Sequence, residues 1–395
     1  MNFGVVAEFN PFHNGHKYLI DILKAHESTV TAVMSGSFVQ RGECACVSPY
    51  ERTRMALENG VDLVLSLPVQ YSTATAERFA YGGVKTLFSL GVIDGIGFGS
   101  ECGDESMLFE CAKALLSEDF SEHLDKYLST GESFPSARQR AVTDMLGEEF
   151  GHILSTPNNI LGIEYIKAML SCGIQNAEIK TVCRKGASHD SSECADNICS
   201  ASALRDMLRS STSTDAFIPE ATAEILRKAM SEGKAPADYG RLETAILYRL
   251  RSMSVEDIRE LPDVSEGLEY RIYDAVRVSA SLDAILEKIK TKRYTHSRLR
   301  RIILYAFLGI TRDDVQMPVP YIRVLGFNKR GAQLLKEAKE KANLPIVTKS
   351  SDIKSLGDDA KRCFELECRA RDLFSLSLPD ADICGREMTD KIIVL

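Results

Sequence analysis

The chain has 395 residues, 44% of them hydrophobic, and a formal charge of −8 at pH 7. Such a length exceeds one ordinary core and predicts two or three domains; with no run near the ~20 apolar residues of a membrane span, it predicts a soluble protein. The 11 cysteines show no CxxC pair and no spacing of a zinc ribbon or disulfide framework, which suits a reducing cytoplasm.

Short β-branched runs, each closed by Gly, Asn, Pro or Ser, alternate with longer helical patterns through the first half. In chain order the sequence predicts a strand at Phe3–Glu8, a helix at Gly15–Ala25, a strand at Val30–Met34, a helix at Pro49–Asn59 and a strand at Leu63–Leu67. A helix at Ala74–Leu90, a strand at Gly95–Gly99, helices at Glu105–Ser117 and Asn159–Ser171 and a strand at Glu178–Cys183 follow. This alternation predicts an α/β catalytic domain over residues 1–210, built on a Rossmann-like, doubly wound parallel sheet. Two further helices between Ser121 and Glu149, split by a turn at Gly131–Pro135, are inserted before its last strand. From 211 to 395 the patterns at Ala221–Glu232, Leu242–Met253, Gly267–Ser281, Leu282–Lys290 and Thr295–Leu308 predict a mainly helical domain, with a few short strands near Arg323–Phe327, Ile346 and Ile393–Leu395.

The first strand runs into Asn10-Pro11-Phe12-His13-Asn14-Gly15-His16, and an amphipathic pattern (Tyr18, Leu19, Ile22, Leu23) begins at once. A strand-to-helix turn at the carboxyl end of a first parallel strand faces the crevice where open α/β sheets bind ligands, and the helix start attracts phosphate. Gly15 permits close backbone approach, while His13 and His16, three residues apart, can point to one side and donate to phosphate oxygens. Fixed donors of this kind stabilise the charge that develops during attack on an α-phosphate, so His13 and His16 are the candidate catalytic residues. Ordinary surface histidines, or a zinc site completed by Glu8, are the competing readings.

Charge is unevenly distributed. Between Lys288 and Lys349, 15 basic residues stand against 4 acidic ones, a local surplus of +11 in a chain that is −8 overall. The 7 cations from Lys288 to Arg301 are interleaved with Tyr294 and His296, a composition that can track a phosphate backbone and offer stacking surface. The candidate RNA contacts are Lys292, Arg293, Arg298 and Arg301, the last two on one helical face, with Lys329 and Arg330 extending that surface beside Arg323. A solvated helical face is the plainer alternative.

The His13-Asn14-Gly15-His16 turn resembles the HxGH signature of the nucleotidyltransferase superfamily. Several longer stretches resemble one bacterial family within it, the tRNA(Met) cytidine acetate ligases: Val6 to His16, Val33 to Glu43, Phe98-Gly99-Ser100-Glu101, Pro157 to Gly162, and Arg184-Lys185-Gly186 with Ser188-His189-Asp190. That resemblance implies that acetate and ATP form acetyl-AMP, and that the acetyl group passes to N4 of the wobble cytidine of elongator tRNA(Met). It implies ATP binding by the segment Val6, Ala7, Glu8, Phe9, Asn10, Pro11, Phe12, His13, Asn14, Gly15, His16, Lys17, Tyr18 and Leu19, by Gly99, by Asn158 or Asn159, and by Arg184. Ile198 to Arg205 resembles the second superfamily signature, which adds Ser200, Ser202 and Arg205 near the outer phosphates, although Cys199 and Ala201 depart from the pattern. Mg2+ is expected with the nucleotide phosphates. Physically, the Asn pair can equally cap a helix, Ser200 or Ser202 can be a plain N-cap, and Gly99 a turn glycine. Two other functions stay open on the residues alone: a small-molecule adenylyltransferase, or an RNA- or ribosome-binding module with a silent nucleotide site.

Overall fold

The computed structural model describes residues 1–183, 197–265, 267–291 and 294–395. Five parallel strands lie where the alternation placed them: β1 (Asn2–Ala7), β2 (Thr29–Ser35), β5 (Leu63–Leu67), β6 (Gly95–Ser100) and β7 (Glu178–Cys183), in the spatial order β5-β2-β1-β6-β7. Between β2 and β5 the chain forms a small antiparallel hairpin, β3 (Phe38–Val39) with β4 (Glu43–Cys44). The register between β1 and β2 runs from Asn2 opposite Thr29 to Ala7 opposite Met34, after which the two strands part.

Alternate residues of β1 feed two cores, as a pleated strand requires. Phe3 and Val5 join Ile20, Leu23 and Met55 on one side, while Val6 joins Val84, Leu87, Ile163 and Ile166 on the other. Helices Asn14–Leu23 and Pro49–Glu58 cover the first face, Ala76–Phe88 and Pro157–Ser171 the second. The inserted segment holds three helices rather than two, Glu118–Leu128, Phe134–Leu146 and Glu148–Ile153, because Gly147 at φ 105° breaks the pattern after Leu146.

The C-terminal strands do more than decorate a helical domain. β8 (Ile322–Phe327) pairs antiparallel with β5, and β9 (Ile346–Val347) and β10 (Ile393–Val394) pair with β8, so the sheet draws strands from both sides of residue 210. The reason is edge protection: every residue of β5 is buried, and as an edge it would leave a row of unpaired backbone groups.

Helices Glu220–Ser231, Glu243–Arg251, Leu268–Arg277, Leu282–Ile289 and His296–Leu308 follow their predicted positions within a few residues. The last four build a separate core with Asp358–Phe374, and Phe38 and Cys44 of the hairpin are members of it. Phe38 meets Phe374 edge-on at 6.4 Å between ring centroids. The hairpin therefore plugs the carboxyl edge of the sheet into the helical part. Phe38→Ala should cost about 3–5 kcal/mol in chemical denaturation; a loss below about 1 kcal/mol would mean that the hairpin does not tether the two parts.

Candidate active site

The turn after β1 is held by its own apolar residues. Phe9, at φ 45°, and Phe12 are 1% and 0% exposed, with ring centroids 4.9 Å apart in the core beneath the turn. Val6 is likewise buried, in the core of the other face, and Ala7 and Leu19 are half-buried against the core that holds Phe9 and Phe12. Of the residues expected to bind ATP, Val6, Phe9 and Phe12 have side chains buried in the protein, so only their backbone can line a crevice.

Two imidazoles close the start of the Asn14–Leu23 helix. Gly15 N donates to His13 Nδ1 at 3.1 Å, and His13 N donates to His16 Nδ1 at 3.2 Å, a reciprocal capping box with the rings stacked 3.7 Å apart. With Nδ1 of each ring accepting, the proton of the neutral imidazole sits on Nε2, which makes Nε2–H the donor of each. Gly15 is required by this cap: a Cβ there would come within 3.0 Å of His13 Cε1. The helix start is not an open phosphate site, because Gly15 N is used by His13 and Asn14 N donates to Phe217 O at 3.0 Å. Asn14 is committed as well, its Nδ2 donating to Asn197 O and Ala216 O, and Lys17 pairs with Asp21 one turn along. Pro11 lies buried in the turn and Tyr18 half-buried beyond it.

The second signature is brought beside the first. Ile198 comes within 3.9 Å of the Cβ position of Gly15, and Arg205 Nη1 donates to Asn10 O at 3.1 Å. Ser200 is the N-cap of helix Ala201–Arg209 and accepts from Ala203 N, while Ser202 Oγ accepts from Arg205 Nη2 at 3.1 Å. The capping role thus accounts for Ser200, and Ser202 holds the arginine. Asn10 Nδ2 and Arg205 Nε are both buried without a hydrogen-bond partner. Buried donors of this kind are costly unless an acceptor arrives.

Across the crevice, Asn159 is 3% exposed and its Oδ1 accepts from Glu101 N and Cys102 N at 2.9 and 3.1 Å. Glu101 in return accepts from Asn158 N, Asn158 Nδ2 and Asn159 N at 3.2, 2.6 and 2.8 Å, capping helix Pro157–Ser171. The pair therefore locks the end of β6, where Gly99 sits opposite Val182. Arg184 lies outside the described residues. Burial opposes ionisation of Glu101, but the hydrogen bonds from Asn158 and Asn159 outweigh it and hold the carboxyl below its ordinary range. A depressed folded value means stability present above the unfolded value of about 4.3 and lost as pH falls through the folded one. Glu101→Gln should therefore lower the melting temperature at neutral pH and shrink that deficit towards pH 3–4; a deficit independent of pH would dismiss the charged cap.

Sequence reasoning missed Arg52, Gln40, Glu43 and Arg300. Arg52 is fully buried under the turn, Gln40 N donates to Glu8 Oε1 at 2.9 Å, and Glu43 lies 4.0 Å from Arg205 and 2.7 Å from Arg300. Each left a trace without a role: Gln40 and Glu43 lie in the family-like stretch Val33 to Glu43, Arg300 lies in the basic run, and Arg52 is a cation spaced with the buried positions of its helix.

The HIGH nucleotidyl transferase family profile matches residues 1–388. The chain is 39% identical to the tRNA(Met) cytidine acetate ligase of Thermoanaerobacter sp. (strain X514) and 40% identical to that of Caldanaerobacter subterraneus subsp. tengcongensis, over 99% of each chain in both cases. This chain belongs to the tRNA(Met) cytidine acetate ligase family, within the HIGH nucleotidyl transferases. The crystal structure of apo Thermotoga maritima TmcAL superposes with a TM-score of 0.94 at 34% identity, covering 100% of this chain and 99% of that one. The same protein bound with alpha-thio ATP gives 0.93 at 32% identity, with the same coverage.

For a ligase family named for a tRNA, the placement of the cations matters, and here several expectations need correction. Arg301 is 7% exposed and pairs with Asp263 at 3.2 Å; Arg298 donates to Asp263 O at 3.1 and 2.7 Å and to Ser265 Oγ at 3.0 Å. The two do share a helical face, but that face clamps the 261–265 loop. Arg323 is buried between Glu367 and Glu387. Lys329 and Arg330 follow Phe327, which pairs with Leu63 at the start of β5, and Arg330 donates to Glu27 O. Because β8 runs antiparallel, these two cations stand at the opposite end of the sheet from the histidine turn, roughly 17–20 Å away. Lys292 and Arg293 lie outside the described residues.

Proposed function

We propose that this protein couples acetate to ATP and acetylates N4 of the wobble cytidine of elongator tRNA(Met). An acetate oxygen attacks the α-phosphorus, the bond to the bridging oxygen breaks and pyrophosphate leaves, giving acetyl-AMP. The cytidine amine then attacks the acetyl carbonyl carbon, the bond to AMP breaks, and the amine loses a proton. The observation that carries the reading is the pair of buried, unpartnered donors, Asn10 Nδ2 and Arg205 Nε, on two residues joined at the turn that holds the two imidazoles. An anion with several oxygens satisfies them, and the α-thio ATP complex of the Thermotoga maritima relative supplies the class of anion.

The geometry supports the following roles. Nε2–H of His13 and of His16 donate to the phosphoryl oxygens as charge develops, and Arg205 with Asn10 receives the departing pyrophosphate. The backbone from Val6 to Leu19 and the strand end at Gly99 line the nucleotide, with Asn158 on the far side. No group of three or more His, Cys, Asp or Glu side chains able to hold a metal ion is present among the described residues, so we assign Mg2+ to the nucleotide phosphates rather than to a protein cage. We assign the nucleotide to the sheet built from residues 1–210 and the RNA to the helical part after 211. Lys288, Lys290 and His296 are exposed there, close in sequence to Arg300, whose pairing with Glu43 sets that helix against the catalytic edge. Among the described residues no helix is long and apolar enough to cross a membrane; we place the protein in the cytoplasm, where ATP and tRNA are found.

Pyrophosphate release from ATP, measured with and without acetate and tRNA, tests the reading. Acetate should be required, whereas release dependent on a phosphorylated acceptor would indicate a small-molecule adenylyltransferase, and none at all a silent site. His16→Ala should lower acetate-dependent release by about 100- to 1000-fold while leaving tRNA affinity unchanged; equal loss of both would indicate a collapsed turn rather than a missing donor.

A further inference from the structure

Arg52 lies on helix Pro49–Glu58 and is 0% exposed. Its guanidinium donates to three backbone carbonyls: Nη1 to Glu8 O at 2.6 Å, Nη2 to Gly36 O, and Nε to Val47 O at 3.3 Å. Glu8 and Gly36 are the first residues past the ends of β1 and β2, where the ladder stops at Ala7 and Met34. The planar fork thus occupies the split between the strands and takes carbonyls that the sheet no longer pairs. At Gly36 the crevice is open, since a Cβ there would meet nothing within 4 Å.

No carboxylate is within salt-bridge distance of this cation among the described residues. Glu8 and Glu51 act on it only from farther off, and Glu8 spends an oxygen on Gln40 N. Burial pulls the guanidinium down to about 10, so it remains charged at neutral pH. A buried charge without an ionic partner is expensive, and a carbonyl cage alone could be supplied by neutral side chains. The nucleotide of the proposed reaction brings the missing negative charge to this end of the sheet.

We propose that Arg52 is a positioning residue for the ATP step, wedging the β1–β2 crevice open and lending it a fixed positive charge that favours the triphosphate over less charged nucleotides. This rests on the ATP reading above. The fork also sets the departure of the chain from β1 into the histidine turn, so the same side chain fixes both where the donors stand and which anion they meet.

The test is the ratio of AMP to ATP dissociation constants for the full chain, measured at about pH 7 to 9, with folding checked by thermal melting. Wild type should hold a constant preference for ATP over this range. Arg52→Gln should lower that preference by about tenfold or more. Arg52→Lys should keep it near neutral pH and lose it as pH rises, because burial depresses the pKa of an ammonium far more than that of a guanidinium. A folded Arg52→Gln with the wild-type preference overturns the proposal. If that variant does not fold, Arg52→Lys decides: a preference falling with pH supports the charge role, and a flat one overturns it. Failure of both variants to fold would assign Arg52 to structure alone and likewise overturn it. A wild type that binds neither nucleotide would instead bring down the ATP reading itself.

Discussion

The carboxyl edge of the sheet depends on an unusual helix start, closed by two imidazoles where a hydroxyl or carboxylate normally stands. By accepting backbone N–H groups at Nδ1, His13 and His16 fix their rings, their tautomer and the direction of Nε2–H in a single arrangement. Donors prepared in this way need no reorganisation when charge builds on a phosphoryl group. Everything around them maintains the geometry: Phe9 and Phe12 anchor the turn from below, Gly15 makes room for a folded-back ring, and Asn10 is held by Cys46 N through its side chain and by Arg205 through its carbonyl.

A second layer of the design joins this turn to the rest of the molecule through the hairpin Phe38–Cys44. Its Phe38 and Cys44 belong to the helical core, and its Glu43 lies between Arg205, which holds the Asn10 carbonyl, and Arg300 of the basic helix. Apolar packing supplies the adhesion, while the shared carboxylate sets the lateral position of the two cations. The helical part is thereby joined to the sheet through shared packing and a shared carboxylate. An arrangement of that kind suits chemistry in which a reactive intermediate made on one part must meet a base delivered by the other.

Much of the fold was legible because its signals are local. Five strand runs and the helices between them announced a doubly wound sheet, and the strand-to-helix turn with its histidines named the crevice. The inserted segment was less clear, since a single glycine at position 147 divides what reads as one helix. Charge was the poorest guide. Arg298, Arg301 and Arg323 stand in a basic run, yet Asp263, Glu367 and Glu387, between 35 and 64 positions away in the chain, neutralise or bind them. A count of cations cannot reveal such partners.

By itself, then, the sequence determined the parallel sheet, the strand-to-helix turn with its two histidines and the family, because each is written in residues that are neighbours along the chain. Tertiary structure alone decided that β8 closes the edge of β5, that Lys329 and Arg330 fall at the far end of the sheet, and that the Asn pair locks Glu101. It also decided that Arg52 is buried between two parting strands. Each of these depends on groups distant in the chain meeting at a hydrogen-bond distance, and pairing of that kind is set by the burial of surfaces, on which a local pattern is silent.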